Sequence, residues 1–210
     1  LLLIGLSPND ACARAGGGSS GSCDGWLCIL LYPIILCYSL YVGLRLSVKH
    51  RRVVKALREM AQHEPEWAEE RLLAVARDKF ILLQAAWGEN DLDTIRSHLM
   101  LGIYNNWETQ INEYKRLGRR NVMEGLSITK MRIVDAKNYR NDEHDEFTVA
   151  FDATATDRVI GDPGATPAKR KSFREFWTFE WENGEWRLRE ITQSDGWKRF
   201  VNAAIIYQRH

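Results

Sequence analysis

The residues able to do chemistry are scattered along this chain rather than grouped. The histidines are His50, His63, His98, His144 and His210. Only His98 falls on a predicted helix beside apolar residues, where a hydrogen-bonded interhelical histidine is the expectation rather than a general base. Asp152 has the strand parity opposite to Phe147, Val149 and Phe151, so it is predicted on the solvent side of its sheet. A buried aspartate base acting on an apolar ligand would need the other parity. Asp91 and Asp93 suit helix capping. Lys130, Arg132 and Glu190 are the ionisable residues expected at inward strand positions, with Glu190 sharing parity with Trp186 and Leu188. Nucleophile elbows, phosphate loops, paired carboxylates at helical spacing and zinc-type cysteine spacing are all missing from the sequence. No catalytic residue, metal or cofactor is therefore expected, and the chain reads as a binding protein rather than an enzyme.

Binding chemistry is better marked. Residues 26–44, WLCILLYPIILCYSLYVGL, are nineteen in a row without a charge. As a helix they just cross a hydrocarbon core of about 30 Å. Arg45, Lys49, Arg51, Arg52, Lys55 and Arg58 follow at once. Such a flank fits anionic lipid headgroups and sets insertion topology. The formal charge of the whole chain is only +1, and the part beyond residue 64 is mildly acidic, which excludes a uniformly basic nucleic-acid binder. Lys169, Arg170, Lys171 and Arg174 are expected in a solvated hairpin loop. Trp87, Trp107, Trp177, Trp181 and Trp186, of eight tryptophans in all, lie at core-facing periodicity. Phe80, Trp87, Trp107, Trp177 and Phe179 are the residues expected to line any pocket.

The elements that would position these groups follow from hydropathy period. Residues 1–13 resemble the end of a signal peptide with a small-x-small cleavage pattern at Ala11-Cys12-Ala13. Residues 14–25 form a Gly/Ser-rich spacer, 26–44 the membrane helix and 45–63 a basic juxtamembrane helix. Residues 64–194 form the folded domain and 195–210 a C-terminal extension. The leader and the positive-inside rule agree in placing the domain at the cytoplasmic face of an inner membrane. All four cysteines precede the domain, so no disulfide framework is available to it. Pro65 is expected in the first turn of a helix carrying Leu72, Ala76, Phe80, Leu83 and Trp87. A short helix capped at Asn90-Asp91 follows, then one over residues 99–117 with Ile103, Trp107, Ile111 and Tyr114 inward. After Gly118 the period becomes two, with a bulge expected between Ile128 and Met131. Asn183-Gly184 predicts a type I′ hairpin pairing Trp181 with Trp186, Phe179 with Leu188 and Glu180 with Arg187.

Three helices and then four antiparallel strands predict an α+β domain, with the helices on one face of a curved sheet and a pocket beneath the long helix. At this point the chain resembles a family. Phe80-x-x-x-Gln84-Ala85-Ala86-Trp87 with Asp91-Leu92 looks like the entry helices of the Tim-forty-four-like domain, named after the membrane tether of the mitochondrial inner-membrane protein translocase. Phe173-Arg-Glu-Phe-Trp177-Thr-Phe179-Glu and Trp186-Arg-Leu188-Arg-Glu-Ile191-Thr-Gln193 look like its closing hairpin. The likeness covers about residues 66–194, and the leader and single span resemble bacterial members. Trp181 departs from the family, in which a basic residue is expected. The resemblance implies a nuclear-transport-factor-two-like cone and a non-enzymatic tether that holds a protein partner or contacts lipid, linked to protein translocation or membrane protein assembly. The alternative is a small-molecule-binding or enzymatic cone that uses the pocket.

Overall fold

The structure, a computed structural model, describes residues 25–140, 144–161 and 168–208, with side chains from residue 33 onward. The expected leader and most of the Gly/Ser spacer lie outside the described residues, as does the middle of the loop before the third strand.

Helix α1 (Gly25–Met60) is a single helix of 36 residues. A 3-10 turn over Pro65–Trp67 leads to α2 (Glu69–Glu89), α3 (Leu92–His98) and α4 (Leu101–Arg116). Pro65 thus opens the 3-10 turn rather than α2. Asp91 caps α3, accepting the Thr94 amide at 3.1 Å. Asn90 ends α2 in the left-handed conformation, with φ of 57°. Four strands follow: β1 (Arg120–Asn138), β2 (Glu146–Ile160), β3 (Arg170–Glu182) and β4 (Glu185–Gln193). Helix α5 (Trp197–Asn202) and a short β5 (Ile206–Tyr207) complete the chain. The sheet order is β4-β3-β2-β1-β5, antiparallel except for β5, which lies parallel to β1. The architecture is α+β as expected. The described residues hold five α-helices and five strands, against the expected three and four, because the C-terminal extension folds and α1 joins the domain.

The inner face of the sheet makes the main core. Phe147, Phe151, Trp177 and Phe179 are fully buried there beneath Leu72, Ala76, Phe80 and Leu83 of α2. The Phe80 ring stacks on Phe151 at 4.4 Å and meets Trp177 at 4.8 Å. The hairpin has the expected register, Trp181 to Trp186, Phe179 to Leu188 and Glu180 to Arg187. Asn183 and Gly184 carry φ of 53° and 85°, the left-handed pair that a type I′ turn requires. The Trp186 edge meets Phe147 at 4.7 Å and Trp67 at 5.3 Å.

Helices cover the outer face as well, which the hydropathy period did not indicate. Val42 and Leu46 of α1, with Trp197 and Phe200 of α5, pack on Val134, Ala150 and Phe176 in a second buried cluster. Further along α1, Val53, Leu57 and Met60 enter the main core. Asp152 therefore does not face solvent. Arg132 holds it at 2.5 Å, Arg174 also pairs with it, and its side chain is 18% exposed. Arg132 itself points outward, not into the cone. Glu190 is outward too, paired with Arg199 at 2.6 Å. The cause is a register shift opposite Thr178 and Phe179, which leaves Arg189 unpaired in the ladder and reverses parity beyond Leu188. Lys130 is exposed. Arg170 and Lys171 belong to β3 rather than to a loop, and Arg170 donates to the Gly125 carbonyl at 3.0 Å.

Candidate functional site

Two regions combine exposure with recognisable chemistry. The first is α1. Every residue from position 33 to 41 is exposed, among them Ile34 (64%), Tyr38 (54%) and Leu40 (64%), and Leu44 is exposed to 64%. Among the described residues no helix is long and apolar enough to cross a membrane; the described side chains start seven residues into the stretch 26–44. Arg45, Arg51, Arg52, Lys55 and Arg58 are exposed along the same helix. Lys49 is not. It is 5% exposed, donates to the Ala203 carbonyl at 2.6 Å and lies 3.7 Å from Asp135. Burial lowers its pKa against the pull of Asp135, and it pins the C-terminal segment rather than reaching solvent. The helical period explains the difference. Lys49 shares a face with Val42, Leu46 and Val53, all buried, while the other five basic residues lie off that face.

The second region is a cleft of about 890 Å³ between α2 and α4 on one side and the β3–β4 hairpin on the other. Trp87 and Trp107, edge to face at 4.9 Å, form one wall with Ile103; Ile191 lies opposite. Phe80, Trp177 and Phe179 lie behind it, fully buried in the core, so only two of the five aromatic residues expected to line the pocket do so.

Glu175 also lines this cleft, and its functional interest was missed in the sequence. It is 1% exposed. One carboxylate oxygen accepts the Trp177 indole N–H at 3.0 Å and the other accepts the Gln193 amide at 3.4 Å. Burial pushes its pKa up against both hydrogen bonds. The signal was present, since Glu175 has the parity of Trp177 and Phe179 on an inward strand face. Three other glutamates border the cleft, and each has a cation: Glu180 with Arg189 at 3.2 Å, Glu182 with Arg187 at 3.2 Å, and Glu190 with Arg199 at 2.6 Å.

Other polar groups are already engaged. His98 meets Lys79 at 3.0 Å, and burial with the neighbouring ammonium lowers its pKa. A hollow on the outer face contains Lys137, Arg189 and Arg199, each tied to a glutamate. Among the described residues no group of three or more His, Cys, Asp or Glu side chains is placed to hold a metal ion.

The fold is a curled sheet with helices on both faces, a long first helix exposed over residues 33–41 and a cleft beside the β3–β4 hairpin. The sequence matches the Tim44-like domain over residues 53–193, and the chain belongs to that family. Comparison with curated proteins gives no match. Among solved structures, the intermembrane space region of the chloroplast protein ARC6 is similar at 11% identity and a TM-score of 0.44, over 57% of this chain and 95% of that one. The family match leaves out residues 25–52 of α1 and everything after β4.

Proposed function

We propose that the protein is a membrane-anchored, non-enzymatic binding domain. The apolar stretch 26–44 anchors the protein in the membrane, its last turns packed on the domain through Tyr38, Tyr41 and Val42, and the domain stands at the cytoplasmic face. There it holds a protein partner or touches anionic headgroups, in the service of protein translocation or membrane protein assembly. The observation that carries this reading is the exposure of apolar side chains around α1 from Ile34 onward, on the helix that becomes core from Val42. Exposed apolar surface of this kind is unfavourable in water and marks an interaction site. The basic residues follow where headgroups would lie, and the family membership supports a tether.

Because α1 is unbroken, the domain has no flexible joint to its anchor. The experiment is an alkaline carbonate wash of membranes carrying the full chain, with thiol labelling of a Leu101→Cys variant in which Cys12, Cys23, Cys28 and Cys37 are changed to serine, since Leu101 is 71% exposed on the domain. Retention in the pellet and labelling only from the cytoplasmic side are expected. Release into the supernatant, or labelling from the opposite side, overturns the proposal. Crosslinking in intact membranes then identifies the partner.

A further inference from the structure

We propose that the cleft between α4 and the β3–β4 hairpin is a binding site for a small amphiphile with a primary ammonium head, seated on Glu175. The site is independent of the membrane reading, for its lining comes from α2, α4, the residues between α3 and α4 and the β3–β4 hairpin, and α1 contributes none of the lining residues.

Charge is the first reason. Of the four glutamates on the cleft, three are neutralised by an arginine within 3.2 Å. Glu175 is the most buried and has no cation within ion-pair reach among the described residues. A buried carboxylate without a cation is costly, and a hydrogen-bonded ammonium offsets that cost. Two neutral donors leave it acceptor capacity, because an ionised carboxylate offers about four lone-pair sites.

Shape and surroundings are the second. The cleft is roomy, at about 890 Å³, within the range of small-molecule sites. Trp87, Trp107, Ile103 and Ile191 supply apolar walls for a hydrocarbon or aromatic body. Gln84 and Gln193 add carboxamides, whose oxygens are able to accept from an ammonium. Indole faces also favour a nearby cation. A carboxylate or phosphate head would meet Glu175 with like charge, so an anionic amphiphile is disfavoured.

The test uses the full chain in phosphatidylcholine nanodiscs at mildly alkaline pH. Three probes of equal length are titrated by calorimetry: n-hexylammonium, 1-hexanol and hexanoate. A charge-assisted hydrogen bond contributes about 1.5–3 kcal/mol, so n-hexylammonium is expected to bind about tenfold or more tighter than 1-hexanol, with hexanoate weakest. Glu175→Gln, confirmed folded by its melting transition, should bring the first two probes to equal affinity. Glu113→Gln, on α4 outside the cleft and paired with Arg116, should keep the preference. The wild-type ranking needs no variant, so a misfolded variant does not shield the proposal. Equal binding of ammonium and alcohol, no saturable ammonium binding, or a preference that survives Glu175→Gln each overturns it.

Discussion

Trp197 donates its indole N–H to the hydroxyl of Tyr38 at 3.1 Å, across 159 positions of sequence. Its ring also meets Tyr41 edge to face at 6.0 Å. Both partners lie outside the family match, one on the first half of α1 and one on α5. The two segments at the ends of the chain thus close over the outer face of the sheet and fasten the apolar helix to the domain. Lys49, on the Ala203 carbonyl, is a second fastening point.

Removing this clasp should loosen α1 without opening the inner core. Trp197→Ala is expected to cost about 3–5 kcal/mol, as for other buried tryptophans truncated in a packed site. Hydrogen exchange should show the amides of α5 and the middle of α1 losing protection before those of β2. Uniform loss of protection in both regions counts against a separate clasp.

A fragment starting at residue 64 should be far less stable than one starting at residue 42. The shorter piece lacks Val53, Leu57 and Met60, each 1% exposed or less, and each worth about 1.5–3 kcal/mol in burial. Urea denaturation of the two fragments gives the comparison, and equal midpoints would show that α1 contributes nothing to the fold.

Within the hairpin, Trp186→Ala should cost about 3–5 kcal/mol, since the ring touches Trp67, Phe147 and Trp181. Asn183→Ala should cost about 1–2 kcal/mol, the penalty for a left-handed conformation with a Cβ and no local hydrogen bond. Denaturant melts in which the two rank the other way would mean the turn, not the aromatic cluster, holds β3 to β4.

Glu175→Gln should alter stability in a pH-dependent way. The folded carboxyl keeps its proton to higher pH than the unfolded one, because burial raises its pKa. Its stabilising contribution is full below the ordinary glutamate value of about 4.3 and is lost as pH rises through the elevated native value. The amide cannot ionise, so the melting temperature of the variant relative to wild type should climb from acidic to neutral pH. A flat difference across that interval would show that Glu175 is not desolvated.

At the membrane surface, changing Arg51, Arg52, Lys55 and Arg58 together to glutamine should weaken binding of the residue-42 fragment to anionic vesicles by about 1 kcal/mol per charge at low salt. Lys49→Gln should leave that binding nearly unchanged and lower the melting temperature instead, because its ammonium faces Ala203 and Asp135. Vesicle sedimentation at two salt concentrations, paired with thermal melts, separates the two roles.

Local rules determined a good deal of this protein. The αL pair at Asn183-Gly184, the Asp91 cap, the Phe147–Ala155 alternation and the helical stripe ending in Trp87 each depend on neighbours within a few residues, so period and turn chemistry specify them directly. The family was legible for the same reason, since the closing hairpin is local. What lies across the sheet was decided by tertiary structure. One bulged residue, Arg189, turned Glu190 outward and Ile191 inward. Lys49 read as one of six equivalent cations until packing put its face of α1 on the sheet. Asp152 had the parity of a solvent-facing residue and still became enclosed between Arg132 and Arg174, because helices cover both faces. Glu175 had inward parity in plain view, yet only the assembled cleft shows that its three glutamate neighbours have cations within 3.2 Å and that, among the described residues, it has none. Period favours one side of its own element for each residue; what occupies the space opposite depends on the other elements that pack there.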